Sequence, residues 1–344
     1  MFRRTRLFKR NLALYVILAL FLSGCGGGKE NQDSVQAVNS RNNIESNDSS
    51  SGKITEQQKS SDEKVKAESQ TGKKTETDSS ASVESNNKQK SEIKTKLNVP
   101  EKPSTPTMVS DISSLSTKAI EWSWLYSSRD SAELLKKYKG YGFGDTSQKI
   151  IYLTFDEGYE NGYTESILNT LKANNVQAAF FVTKPYVTGS YNGVPDSELL
   201  KRMSNEGHII ANHSVNHKSM PKFTDENAFN AELIGVEEAV NNIPGCRMSK
   251  YFRPPEGTFS ELSLYYTQKL GYKSVFFSLA YQDYNVDNQP DPGEAKSKLL
   301  KNTRNGMICL LHAVSKTNAT ILDSLIKEWK RQGYEFKTLD NLPS

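Results

Sequence analysis

An α/β fold, in the form of a distorted or incomplete (β/α)7-8 barrel with an N-terminal extension, is predicted by the pattern that follows Gly144. Short apolar runs alternate there with longer amphipathic runs, which is typical of parallel strands joined by helical crossovers. Reactive side chains end or follow five of these runs, as expected at the carboxyl-terminal face of a barrel. The predicted strands are residues 150–155, 178–182, 209–211, 251–253, 273–278, 307–311 and 335–338.

Apolar residues at helical spacing predict helices between the strands. The stretch at residues 111–149 is expected to pack on the barrel as an extension. The helical stripes are Ile167, Leu168 and Leu171, then Phe229, Leu233, Val236 and Val240, then Leu322, Leu325, Ile326 and Trp329, and the extension carries Trp122, Trp124, Leu134 and Leu135.

Residues 1–25 are predicted to be a lipoprotein signal peptide. Basic residues precede an apolar run at 12–22 that is too short to span a bilayer. The run leads into Leu22-Ser23-Gly24-Cys25, which resembles a bacterial lipobox and implies lipidation of Cys25. The expected location is therefore the outer face of the bacterial cell membrane, and the forespore envelope is one membrane that fits this expectation. The alternative is an ordinary signal peptide or anchor in which Cys25 is incidental.

Residues 26–110 are predicted to be a disordered polar tether. No aromatic residue occurs between Phe21 and Trp122, so the segment cannot bury enough apolar surface to offset its ordering entropy. A coil of that length spans on the order of 50 Å. A catalytic domain at residues 111–344 can therefore reach from a membrane into a polymer mesh.

The charge of the chain argues against a nucleic-acid partner, and its cysteine content argues against a disulfide framework. The net charge of +4 is spread along the chain without a basic stripe, which argues against nucleic acid. Cys246 and Cys309 are the only cysteines after Cys25. Export permits a disulfide between them, but the apolar strand around Cys309 favours a buried free thiol.

Five short segments carry the chemistry, at residues 154–158, 213–217, 253–255, 282–284 and 310–312. His213 and His217 are four apart, which on a helical turn places their side chains about 5–6 Å apart, close enough to share a metal ion. An isolated pair of this kind is a weak signal. Three of the four histidines lie in these segments, and the fourth, His208, starts a strand and is expected to be structural.

Asp156 and Glu157 are adjacent, so both reach one site only if a turn at Gly158 rotates one of them. One carboxylate would then bind metal and the other act as a base; the alternative is a solvated acidic turn. Arg253, held before two prolines, can orient a carboxylate through a bidentate contact or form a plain structural ion pair.

His312 ends the sixth predicted strand and has no neighbour at metal-ligand spacing. Because a histidine titrates near neutrality, it suits a proton donor to a leaving group. Asp283 can pair with either Arg253 or His312, and the sequence does not decide between them.

In this order the five segments resemble the motifs of the polysaccharide deacetylase family, the NodB homology domain of carbohydrate esterase family 4. The resemblance covers residues 122–339, with the core at about 148–340. Residues 159–164, 252–257 and 311–315 resemble the branch that deacetylates N-acetylmuramic acid in peptidoglycan, which leads to the muramic δ-lactam of the spore cortex.

The resemblance implies a role for each residue. It implies a divalent metal, with zinc favoured because two imidazoles suit borderline metals. It implies peptidoglycan glycan strands as substrate for a monomeric enzyme. The roles are Asp156 as base, Arg253 as its orienting group, Asp283 as support, His312 as general acid, Glu157, His213 and His217 as metal ligands, and Pro255, Glu256, Tyr284 and Leu310 in oxyanion or substrate binding.

Two positions depart from the family pattern. Glu157 replaces the usual aspartate, which can weaken the metal site, and Tyr284 stands where many members carry tryptophan. One alternative function is the same reaction on N-acetylglucosamine, in peptidoglycan or chitin-type polymers. Another is a non-catalytic, lipid-anchored wall-binding protein, against which the intact acid–base residues argue.

Overall fold

A computed structural model describes residues 107–122 and 129–343 of the protein. Its strands are β1 (Ile120–Glu121), β2 (Ile150–Glu157), β3 (Ala179–Val182), β4 (Ser190–Tyr191), β5 (Val194–Pro195), β6 (Ile209–Asn212), β7 (Tyr251–Phe252), β8 (Thr258–Phe259), β9 (Lys273–Ser274), β10 (Met307–His312) and β11 (Glu335–Phe336). Its α-helices are α1 (Arg129–Lys137), α2 (Thr164–Ala173), α3 (Lys184–Thr188), α4 (Ser197–Asn205), α5 (Glu226–Asn241), α6 (Glu261–Lys269), α7 (Pro292–Lys301) and α8 (Lys316–Arg331). Short 3-10 turns lie at Ile112–Ser114, Met220–Lys222, Pro255–Gly257 and Leu339–Asn341.

Parallel strands in the order β10-β2-β3-β6-β7-β9 form the central sheet, and β11 pairs with the start of β2. After β9 the chain runs on beside β10, where Leu279 forms a parallel bridge with Cys309. The backbone N–H of Leu310 donates to the Leu279 carbonyl at 2.9 Å. The sheet therefore curls back to its first strand, which confirms the predicted distorted barrel.

The two faces of the sheet bury different sets of side chains. Ile150 and Tyr152 belong to a cluster built from strand and C-terminal residues, which includes Phe181 inside the curled sheet. The alternate residues Ile151, Leu153 and Phe155 pack beneath the helices. Because side chains alternate along a strand, Thr154 and Asp156 face the inside, and Glu157 faces the helices.

All seven predicted strands are present, although the strand predicted at 273–278 is regular only at Lys273–Ser274. Beyond Ser274 the chain leaves the ladder with β7 and bends towards β10, which a pattern of apolar residues does not reveal. The predicted helical stripes lie on α2, α5 and α8. Helix α6 was not predicted, since it is buried over most of its surface and shows no amphipathic period.

The N-terminal extension packs on the barrel as expected. The Trp122 indole N–H donates to the Phe277 carbonyl at 2.6 Å, and its ring stacks on Phe276 with centroids 4.7 Å apart. Strand β1 pairs antiparallel with β8. The predicted signal peptide, Cys25, most of the tether and Trp124 lie outside the described residues.

Cys246 and Cys309 are buried free thiols, as the apolar surroundings of Cys309 predict. None of the helices in the described part of the chain is long and apolar enough to cross a membrane.

Candidate active site

A cleft of about 690 Å³ lies at the carboxyl ends of the parallel strands. It is lined by side chains from all five predicted segments, Tyr284 included, and the buried Asp283 contacts His312 from behind the cleft. The residues that carry its polar chemistry are Asp156, His213, His217, Arg253 and His312.

The Arg253 guanidinium holds Asp156 in place. One terminal nitrogen donates to Asp156 Oδ1 at 2.6 Å, and the other donates to Thr154 Oγ1 at 2.9 Å. The group is buried and stacks over the Phe181 ring at 4.1 Å. Since strand β2 presents Thr154 and Asp156 on the same face, the guanidinium of one arginine can donate hydrogen bonds to both residues.

The electrostatics of this contact keep Asp156 ionised. Burial by itself raises the pKa of Asp156, but the charge and hydrogen bond of Arg253, together with smaller effects of the neighbouring histidines, outweigh it. The pKa of Asp156 therefore lies below the usual aspartate value, as required of a group that accepts a proton near neutrality.

His213 is held in a defined tautomer. Its Nδ1 lies 2.8 Å from the Arg253 carbonyl oxygen, which can only accept, so Nδ1 carries the proton. The unprotonated Nε2 then faces Asp156 Oδ2 at 3.5 Å. Burial lowers the pKa of His213 to about 4, so the ring is neutral at pH 7. Two acceptors facing each other without a proton between them suit a cation.

His217 completes the pair in a way that differs from the prediction. The segment is a loop, not a helical turn, because Ser214 and His217 have φ values of 69° and 49°. Ser214 Oγ accepts the His217 backbone N–H at 3.0 Å and fixes the loop. The two imidazole rings still lie 4.9 Å apart between centroids, so their predicted proximity is present although the predicted helical spacing is wrong.

Glu157 is not brought to the histidines. Its side chain is completely buried on the helix-covered face, and both carboxylate oxygens lack a hydrogen-bond partner. Burial, with the neighbouring charges of Glu160, Asp156 and Asp196, raises its pKa well above the usual glutamate value. Within residues 107–122 and 129–343, no three His, Cys, Asp or Glu side chains form a metal-binding group. The donor set that fits a metal here is the pair of histidines beside Asp156.

Asp283 pairs with His312, which decides between the two partners that the sequence leaves open. Asp283 Oδ1 lies 2.7 Å from His312 Nδ1, and Oδ2 accepts the His312 backbone N–H at 2.9 Å. Burial lowers the pKa of His312, but the charge and hydrogen bond of Asp283 more than reverse this, so the pKa is raised above the usual histidine value. His312 is thereby suited to donate a proton near neutrality.

The predicted substrate-binding residues fall into two groups. Tyr284, which is 48% exposed, packs against His312 with ring centroids 5.6 Å apart, and Leu310 lines the cleft. Pro255 is buried and has no N–H, so it cannot donate to an oxyanion. Glu256 has a φ of 60° and borders the cleft, which leaves its backbone N–H as the candidate donor.

Sequence reasoning missed several supporting residues. Thr154 can be found from strand alternation, since it lies two residues before Asp156 on the same face. Asn318 donates to Asp283 and accepts from the Tyr281 hydroxyl, but neither Asn318 nor Tyr281 carries a spacing signal that links it to His312. His208, in contrast, is structural as predicted, because its Nδ1 accepts the Ala178 backbone N–H at 3.1 Å.

A curled parallel sheet with a cleft at the carboxyl ends of its strands, lined by Asp156 and His312, is the architecture of a barrel enzyme. The profile of the family described as polysaccharide deacetylase matches residues 143–275. The chain is 44% identical over 209 residues to the peptidoglycan-N-acetylmuramic acid deacetylase PdaA of Bacillus subtilis, a match that covers 61% of this chain and 77% of PdaA. This chain belongs to the polysaccharide deacetylase family.

Two further comparisons agree with that assignment. The solved structure of Bacillus subtilis PdaA, described as a family 4 carbohydrate esterase, aligns with a TM-score of 0.62 and 39% identity over 66% of this chain and 98% of that chain. The peptidoglycan-N-acetylglucosamine deacetylase PgdA of Listeria monocytogenes is 32% identical over 200 residues, which are 57% of this chain and 39% of PgdA.

Proposed function

We propose that this protein removes the acetyl group from N-acetylmuramic acid in peptidoglycan by hydrolysis of the amide bond. The observation that carries the proposal is the pairing of Asp156 with His312 across β2 and β10 in one cleft. One of the two is held ionised by Arg253, and the pKa of the other is raised by Asp283. The sugar preference rests on the relative at 44% identity.

The reaction needs a base and an acid because an amine is a poor leaving group until it is protonated. Asp156 accepts a proton from the attacking water, and Arg253 holds its carboxylate towards the cleft. His312 then gives a proton to the departing nitrogen, while Asp283 stabilises the charged ring. The backbone N–H of Glu256 stabilises negative charge on the acetyl oxygen. The products are acetate and the free amine of the sugar.

His213 and His217 would hold a divalent metal ion, and two neutral imidazoles favour zinc over calcium or magnesium. When bound, such an ion supplies positive charge that polarises the acetamide carbonyl. The Nδ1 contact of His213 with the Arg253 carbonyl keeps its free nitrogen directed towards Asp156. Glu157, on the other face of β2, does not take part in this arrangement.

The proposed location of the enzyme rests on the N-terminal sequence pattern. The proposal includes a lipid anchor at Cys25, a polar tether to residue 110 and a catalytic domain at 111–344 on the outer face of the membrane. Such a tether lets the domain sample glycan strands within the wall mesh. The δ-lactam of the spore cortex would form from the free amine that this reaction produces.

The test uses mass spectrometry of defined glycan strands, with and without stem peptides, after incubation with the protein. Loss of one acetyl group from muramic residues supports the proposal. Loss only from glucosamine residues would assign the protein to the N-acetylglucosamine reaction instead. Release of no acetate from either strand by folded, metal-loaded protein would support the non-catalytic wall-binding alternative.

A further inference from the structure

Asn318 lies in the first turn of α8, completely buried behind the general acid. Its amide nitrogen donates to Asp283 Oδ2 at 2.5 Å and to the His312 carbonyl oxygen at 3.0 Å. Its amide oxygen accepts the Tyr281 hydroxyl at 2.5 Å. One side chain thus contacts the acid, its carboxylate partner and a wall of the substrate cleft.

The orientation of this amide is fixed by the chemistry of its neighbours. Asp283 Oδ2 already accepts the His312 backbone N–H, and the His312 carbonyl can only accept, so both face the NH2 group. The remaining oxygen must then receive a donor, which Tyr281 supplies. Flipping the amide would place its oxygen against Asp283 Oδ2 and the His312 carbonyl, and both of these hydrogen bonds would be lost inside a buried site, where unpaired polar groups are costly.

The same contacts fix the Asp283 carboxylate. Oδ2 accepts from both the His312 backbone and Asn318, which leaves Oδ1 directed at His312 Nδ1. A rotation of the carboxylate would therefore cost the two hydrogen bonds at Oδ2 as well as the contact of Oδ1 with the ring. With Nδ1 held in this way, Nε2 of His312 is the nitrogen that remains for the substrate.

We propose that Asn318 is a positioning residue for the general acid: it fixes the Asp283 carboxylate, and through it the ring of His312. The inference deepens the proposed function and rests on it for the role of His312. It does not require contact between Asn318 and the substrate, and no motif of the sequence singles this residue out. Tyr281 links the same amide to the cleft wall.

The charged groups around His312 influence the pKa of its ring, and these groups remain in place when Asn318 is replaced. Asp283 contacts the ring, the charges of Asp156 and Arg253 act on it from the interior of the barrel, and Tyr284 packs on its edge. Replacing Asn318 removes its hydrogen bonds to Asp283, the His312 carbonyl and Tyr281 without changing the charge of the site. The variant Asn318→Leu keeps the approximate volume and removes both donors.

The experiment measures acetate release against pH for the full chain and its Asn318→Leu variant. It also follows the titration of the His312 ring by NMR, which is tractable because the chain has four histidines. We expect kcat to fall roughly tenfold or more, below the loss of about 10²–10⁴ for removing an acid itself, with KM unchanged. The alkaline limb and the NMR titration should both move to lower pH.

Two further variants separate positioning from folding. Ser315→Ala removes the cap at the start of α8, where Ser315 Oγ accepts the Asn318 backbone N–H at 3.2 Å, without touching Asp283. It should lower the melting temperature and leave the His312 titration in place. In an Asp283→Asn background, Asn318→Leu should have no further effect on kcat, because it acts through Asp283.

A folded Asn318→Leu protein with wild-type kcat and wild-type His312 titration would overturn the proposal. So would a loss of kcat that is equally large in the Asp283→Asn background. If Asn318→Leu fails to fold, Asn318→Ser is measured under the same criteria. If the wild type releases no acetate from any strand, the proposed function fails, whereas the NMR titration needs no substrate and still tests whether Asn318 positions His312.

Discussion

Asp156 and His312 are register partners on neighbouring parallel strands, β2 and β10. Neighbouring strands lie about 4.8 Å apart, so the pairing brings the two residues to the same end of the barrel without any long loop. Each has its own buried partner, Arg253 for Asp156 and Asp283 for His312. The protein thus holds a carboxylate and an imidazole at the same end of the barrel, with the pKa of Asp156 lowered and the pKa of His312 raised, which is the condition for the proposed base and acid to work together near neutrality.

Arg253→Lys should shift the acidic limb of the pH–rate profile. A lysine cannot contact both Asp156 and Thr154 as the guanidinium does, so the pKa of Asp156 should rise towards its usual value. Because the base works only when ionised, activity should then disappear at a higher pH than in the wild type. Thr154→Val, which removes only the second contact, should shift the limb less. An acidic limb that stays in place in folded Arg253→Lys would count against this role.

Metal binding should depend on the histidines and not on Glu157. His213→Ala should abolish binding of a divalent ion, measured by calorimetry and by elemental analysis after dialysis. Glu157→Gln should leave the affinity nearly unchanged, because its side chain lies on the opposite face of β2. Equal loss of metal in both variants would show that Glu157 turns to the cleft when the ion binds.

Glu157→Gln should also change how stability depends on pH. The folded protein holds a proton on Glu157 more tightly than the unfolded chain does, since its pKa is raised well above 4.5. Between the unfolded and folded pKa values the folded state binds more protons, so wild-type stability falls as pH rises. The variant lacks this loss, and its melting temperature relative to wild type should increase from pH 4 to pH 7. The exposed Glu335→Gln serves as control; an equal trend there would refute the assignment.

The strands could be predicted because buried strands consist of short runs of apolar residues. The position of the reactive residues could be predicted because the carboxyl ends of parallel strands meet at one face of a barrel. The pairing of Asp283 with His312 could not be predicted, because it depends on the path of residues 275–283, which leave their pairing with β7 after β9 and bend towards β10. The face of β2 on which the Glu157 side chain lies could not be predicted either, because it depends on where the strand ends. Only the structure shows that β2 stays extended through Glu157, so that the side chains of Asp156 and Glu157 point to opposite faces and the bend at Gly158 comes after both.

Cys25→Ala should release the protein from membranes or stall its processing, if the lipobox-like segment is read by the lipidation machinery. Detergent partitioning and the mass of the mature N-terminus measure this. Unchanged partitioning of Cys25→Ala would indicate an uncleaved anchor instead.

A truncated protein that begins at Thr107 keeps the strand β1 pairing and should retain full turnover on soluble strands.

The most direct measurement is kcat for acetate release against pH in wild type and in His312→Gln. We expect a bell-shaped profile for the wild type, with an acidic limb set by Asp156 and an alkaline limb set by His312. In His312→Gln we expect kcat to fall by about 10²–10⁴ and the alkaline limb to disappear, with folding intact because the residue lies at a strand end on the cleft. A folded His312→Gln protein that kept the wild-type kcat and the same alkaline limb would contradict the pairing of Asp156 and His312 as base and acid.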